Sequence, residues 1–220
     1  MTLKLAVLIS GRGTNLAALL SAIEAGSCDA QVQLVVSDRE GAPGLDLAHT
    51  RGIRTQTIRM RDFADRAAWD SALTQAVAAV EPDLVVLAGF MRLLGRPFIE
   101  RFRQRVINVH PALLPLFPGT NGPEQAIQAG VPISGCTVHL VDHGVDTGPV
   151  IAQGVVAVLP DDDVPTLHAR IQRAEHVLLP RVVAAIANGA IELQPRLRVH
   201  TPPDADTALF SLPDAARPRS

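Results

Sequence analysis

Short apolar runs and amphipathic stretches alternate along the first half of the chain. Leu5 to Ile9 is a continuous apolar run that stops at Ser10-Gly11. A run without polar alternation reads as a strand covered on both faces, the habit of parallel sheets. Asn15 to Ala25 has helical spacing and stops near Gly26. Val32 to Ser37 predicts a second strand, Gly44 to Arg51 a short helix ended by Gly52, and Thr55 to Ile58 a third strand. Asp62 to Val80 predicts one long helix, and Leu84 to Ala88 and Val106 to His110 predict two more buried strands. Strands that take turns with helices define an α/β fold with a doubly wound, mainly parallel sheet.

The second half changes character. Cys136 to Val141 and Val150 to Val158 are strand-like and flank a glycine-rich turn, His143 to Gly148, which predicts an antiparallel C-terminal annex to the sheet. Val164 to Asn188 predicts a last long helix, with Pro180 as the place for a kink. Residues 120–130, punctuated by Gly119, Gly122 and Gly130, read as a movable loop. From Gln194 onward the chain carries several prolines and few apolar groups, so this stretch reads as a surface or mobile tail. A chain of 220 residues suits one domain, 1–193, with the tail 194–220 appended.

Composition narrows the options. With 47% hydrophobic and 19% charged residues, a sizeable core is expected and disorder is not. A formal net charge of -2 argues against a nucleic-acid partner. Cys28 and Cys136 form no C-x-x-C pair and read as reduced core residues. No trio of side chains has metal-ligand spacing, so no metal is expected. The apolar run at the N-terminus is too short for a signal peptide or a membrane span, so a cytoplasmic location and no membrane partner are expected.

Ligands of doubly wound sheets bind beyond the carboxyl ends of the strands. That rule selects Ser10 to Asn15, Gly89 to Leu94, and Asn108 to Pro111. In the first, glycines let the backbone pass close to a ligand, and the free N–H groups of the following helix favour a phosphate. The alternative is a tight turn with Thr14 or Asn15 as a helix cap. Asn108 and His110 lie two apart at a strand end, so alternation puts both on one side. An amide can donate to an oxygen that gains negative charge, and an imidazole can give or take a proton. Asp142 and Asp146 stand in the glycine-rich turn. Asp142 reads as a residue that caps its own loop. Asp146 acts on His110 only if the turn folds over it, which spacing leaves open. His49, His168 and His176 fall in helical stretches and read as surface or packing groups; His143 reads as exposed, and the register of His139 is open.

Five segments together resemble one family. They are Val7 to Asn15, Val85 to Arg92, Ile107 to Pro115, Phe117 to Gly119 and Gly135 to Pro149. In order and spacing, from about residue 4 to about residue 190, they are similar to the phosphoribosylglycinamide formyltransferases, a folate-dependent family with a Rossmann-like fold. The resemblance implies formyl transfer from 10-formyltetrahydrofolate, as co-substrate, to the amine of glycinamide ribonucleotide in purine biosynthesis, without a metal. It implies a nucleotide-binding half near 1–105 and a folate and catalytic half near 106–193. Gly13, Thr14 and Asn15 match the family's phosphate turn, and Gln172 and Glu175 its other nucleotide contacts. Arg66 and the segment Met91, Arg92, Leu93 and Leu94 match folate contacts, and the loop containing Asp142 and Val145 wraps the pterin ring. Asn108 matches the amide that holds the formyl oxygen, His110 the proton shuttle, and Asp146 the carboxylate that favours the histidine's charged form. One position departs: Asn121 stands where the family usually has a histidine.

Rival readings on the same scaffold are weaker. An initiator-tRNA formyltransferase carries an added C-terminal domain and a basic surface, and a formyltetrahydrofolate hydrolase an added N-terminal domain. The first strand here begins near residue 4, which leaves no room for the latter. A non-catalytic nucleotide-binding module could lose the amide, imidazole or carboxylate, yet all three are present. Small-molecule partners, and a monomer or homodimer, are expected.

Overall fold

The computed structural model describes residues 2–200. Its elements run β1 (Leu3–Ile9), α1 (Thr14–Glu24), β2 (Ala30–Ser37), α2 (Pro43–His49), β3 (Thr55–Thr57), α3 (Arg66–Ala78), β4 (Leu84–Leu87), α4 (Arg96–Arg101) and β5 (Val106–His110). They continue with α5 (Gly122–Gln128), β6 (Ile133–Leu140), β7 (Val150–Ala157), α6 (Val164–Ala187), β8 (Ile191–Glu192) and β9 (Arg198–Val199). Seven strands form one sheet in the order β3-β2-β1-β4-β5-β6-β7. The first five are parallel; β6 and β7 are antiparallel additions, as the change of pattern implied. The strand order reverses direction between β1 and β4, so the crevice at their carboxyl ends is where a ligand is expected.

Period-two alternation sorts the core onto two faces. Leu5, Val7 and Ile9 of β1, with Leu84 and Val86 of β4, join the cluster that also holds Leu16, Leu167 and Ile171 of α1 and α6. Ala6, Leu8, Val85 and Leu87 join the opposite cluster with Trp69, Leu73 and Phe98 of α3 and α4. On β5, Ile107 and Val109 belong to the first face and Val106 to the second. Asn108 and His110 therefore share the second face, at the end of the strand where helix cover stops. Cys28 and Cys136 are free and buried, as expected.

Several boundaries depart from expectation. Residues 60–62 form a separate 3-10 turn, and α3 begins only at Arg66, because Asp65 caps it by accepting from Ala68 N–H at 2.8 Å. Helix α4 was not expected; it buries Phe98 and Ile99, with Gly95 as its N-cap and Pro97 in its first turn. The stretch read as a movable loop contains α5. There Asn121 takes the N-cap in the left-handed region, at φ 65°, a conformation asparagine tolerates. The start of the tail is ordered: β9 pairs antiparallel with β8. The rest of the tail, beyond residue 200, lies outside the described residues.

Candidate active site

The turn after β1 is shaped by glycine. Gly13 has φ +72°, and a Cβ there would lie 2.7 Å from the Cα of Gly44. Backbone packing, together with left-handed geometry, requires glycine at this point. Gly13 is the N-cap of α1, and no side chain caps the helix. Thr14 and Asn15 do not serve as caps; their side chains turn to α6. Gln172 Nε2 donates to Thr14 Oγ1 at 3.1 Å, and Asn15 Nδ2 donates to Glu175 Oε2 at 2.9 Å. The five residues proposed for the nucleotide, distant in sequence, thus meet at one helix N-terminus whose N–H groups remain available for an anion. Asn15 Oδ1 is buried without a partner among the described residues. Glu175 is 5% exposed, and burial pushes its carboxyl up to about 7, partly opposed by the Asn15 hydrogen bond.

The β5 tip faces β6. In their antiparallel register Asn108 is opposite His139, and His110 opposite Thr137. All four share one face. The side chain of His110 is only 4% exposed. Its Nε2 lies 2.8 Å from Phe117 O and its Nδ1 lies 3.3 Å from Asp146 Oδ2. Both neighbours are acceptors, so a ring with a hydrogen on each nitrogen satisfies both. The turn 142–148 does fold over residue 110. Gly148 permits this: a Cβ there would fall 1.8 Å from Leu140 O. Asp142 behaves as a loop cap, with Oδ1 accepting from Gly144 N–H at 3.0 Å and from Thr147 Oγ1 at 2.7 Å.

Asp146 is held from several sides. Burial alone would raise its carboxyl. The His139 ring 3.5 Å from Oδ1, the Gly119 N–H donated to Oδ2 at 2.8 Å and the His110 ring 3.3 Å from Oδ2 outweigh burial, leaving it below the usual carboxylate range. Thr137 fixes the segment after His110: its hydroxyl donates to Ala112 O and accepts from Leu114 N–H.

Two adjoining cavities open from this constellation. One, of about 650 Å³, is lined by Asn108, His110, Asp146, Met91 and Asn121. A narrower one, of about 190 Å³, runs between Leu94, Asn108 and the loop that carries Asp142 and Val145. Arg92 and Leu93 line both. Met91, 64% exposed, and Leu93, 62% exposed, are large apolar groups left open to the cavities, as a ligand surface requires. Arg92 Nε donates to Asp38 Oδ2 at 2.7 Å, so Asp38 anchors a guanidinium. Arg66 donates to the Leu93 carbonyl and stacks 4.9 Å over Trp69, which brings it to the same segment. His143 and His168 are exposed, as the sequence implied, though each lines a cavity wall.

Sequence reasoning missed three participants: His139, the Phe117 carbonyl and the Gly119 N–H. His139 is 2% exposed and lies 3.2 Å from Asn108 Nδ2 through its Nε2. Only the β5–β6 register reveals it. Among the described residues no group of three metal-ligating side chains gathers, and no helix is long and apolar enough to cross a membrane.

An amide, an imidazole and a carboxylate at the strand ends of a doubly wound α/β sheet, beside a phosphate-type turn, define a group-transfer enzyme of the acyl type. The chain belongs to the formyl transferase family, whose model matches residues 3–183. It is 50% identical over 188 residues to phosphoribosylglycinamide formyltransferase of Mycobacterium tuberculosis, covering 86% of each chain. It is 46% identical over 196 residues to the trifunctional purine biosynthetic protein adenosine-3 of Drosophila melanogaster, of which it spans only 14%. Among solved structures it is similar to glycinamide ribonucleotide transformylase 1 of Symbiobacterium toebii, with a TM-score of 0.86, 41% identity, and coverage of 90% of this chain and 94% of that one.

Proposed function

We propose that the chain transfers the formyl group of 10-formyltetrahydrofolate to the amine of glycinamide ribonucleotide. The observation that carries this reading is the contact of His110 Nδ1 with Asp146 Oδ2, 3.3 Å apart, at the wall of a cavity shared with Asn108. The amine attacks the formyl carbon, and the carbonyl oxygen becomes negatively charged. The Asn108 amide and the His110 ring donate to that oxygen. The folate nitrogen then needs a proton to leave as a neutral amine, and His110 Nε2–H supplies it after releasing Phe117 O; the oxyanion collapses to the carbonyl, the bond from the formyl carbon to the folate nitrogen breaks, and the ring regains its proton from the ammonium of the attacking nitrogen. Asp146 holds the ring in place and balances its charge.

The nucleotide's phosphate lies against the N–H groups of Gly13, Thr14 and Asn15, with Gln172 and Glu175 on its sugar side. The pterin occupies the narrower cavity against Leu94, Asp142 and Val145, and the acidic end of the carrier meets Arg66 and Arg92. Residues 1–105 supply most of the nucleotide site, and 106–193 most of the chemistry. The protein works in the cytoplasm as a monomer or homodimer. The test is incubation with both substrates while formylated product and free tetrahydrofolate are measured. Equal release of the two is expected. Release of formate in place of formylated product, or no turnover, would refute the reading.

A further inference from the structure

His139 has no part in the chemistry above, yet it is buried at 2% exposure against two of the reacting residues. Its Nδ1 lies 2.9 Å from the Leu140 carbonyl. A carbonyl only accepts, so Nδ1 carries a hydrogen, and in the neutral ring Nε2 is bare. That bare nitrogen lies 3.2 Å from Asn108 Nδ2, which donates to it. An amide has two such hydrogens, pointing apart, and Asn108 also lines both cavities. With one hydrogen committed to His139, the amide nitrogen, and not the amide oxygen, is fixed beside its neighbour, and the second hydrogen is left for the cavity.

We propose that His139 is a positioning residue that sets which way round the Asn108 amide stands, and so makes it a donor toward the reacting oxygen. With the imidazole removed, the acceptor that holds the amide nitrogen beside β6 is gone. The amide then turns freely between its two orientations, one of which sets its oxygen against an oxygen that gains negative charge. Such an arrangement repels the developing charge instead of stabilising it. The β5–β6 register supports the role, since it seats the two residues directly opposite one another in the ladder.

This inference rests on the proposed formyl transfer, and the experiment separates the two. Formyl transfer is measured for His139→Leu, His139→Gln, Asn108→Ala and the double variant His139→Leu/Asn108→Ala, with the melting temperature of each recorded. His139→Leu is expected to lower kcat about 10- to 100-fold, less than the roughly 10²- to 10³-fold loss of an oxyanion donor itself. Both KM values stay within about twofold. In the Asn108→Ala background the same change costs under about twofold, because there is no amide left to orient. His139→Gln, whose amide can offer an acceptor to Asn108, recovers most of the rate. An equal loss in both backgrounds, or no loss with Asn108→Ala impaired, would overturn the role of His139 alone. Transfer unaffected by Asn108→Ala would overturn the reading of the site itself. If His139→Leu fails to fold, His139→Phe, a ring of similar size that offers Asn108 no acceptor, takes its place in both backgrounds on the same terms.

Discussion

Glu175 shows how a single residue carries two demands. It sits where α6 meets the glycine turn after β1, and its carboxyl moves from the usual 4.5 to about 7 through burial. Between those values the folded protein keeps a proton that the unfolded chain has lost. Stability therefore falls as pH rises from about 4.5 to about 7, and stays lower above that, by up to roughly 3 kcal/mol. Glu175→Gln removes this slope. Denaturant midpoints measured from pH 4 to pH 8 should show a flatter curve for the variant, and a variant more stable than the parent at pH 8. The same substitution should raise the KM for glycinamide ribonucleotide with the KM for the folate little changed. Asp146 has the opposite sign. Its carboxyl lies below the usual range, so its contribution is present above the unfolded value and is lost as pH falls through the folded one. Gln172, which donates to Thr14, is the non-titrating member of the proposed nucleotide site. Gln172→Ala should raise that KM about tenfold, the loss expected for one good hydrogen bond to substrate, and leave the folate KM unchanged.

At the scale of elements, the site depends on one bend. Residues 142–148 return over the β5 tip only because Gly148 brings its backbone against Leu140 O. Gly148→Ala places a methyl group on that oxygen. It should destabilise the fold by about 1–3 kcal/mol and reduce kcat more than an equally destabilising change in α3, since it displaces Asp146. Thermal melts paired with kcat values check this. The strands and the strand-tip pair were readable because unbroken apolar runs and the spacing of Asn108 and His110 are local properties. The position of His139 was not, because register between β5 and β6 is settled by pairing across 31 positions of chain. Helix α4 was hidden by its glycine and proline borders, and α5 by glycines that read as loop punctuation. The split at residues 62–66 was signalled by Asp65, a capping residue that the longer apolar pattern obscured.

Across the whole molecule, one arrangement unites these parts. The parallel half of the sheet ends at the glycine turn after β1 and at the 89–94 segment, and the antiparallel annex returns Asp146 over the tip of β5. Helix α6 closes the far side by tying itself to Thr14 and Asn15. The alternation of elements foretold the doubly wound sheet and its annex, while the meeting of α6 with the first turn, 158 and 160 positions apart, could be inferred only through family resemblance. The central claim is that this convergence makes His110 a proton donor to the departing folate nitrogen. The most direct measurement is the single-turnover rate of formyl transfer by His110→Ala, with both substrates saturating and folate affinity recorded in parallel. The account predicts a rate lower by roughly 10²–10⁴ with folate binding retained. A rate equal to that of the parent protein would contradict it.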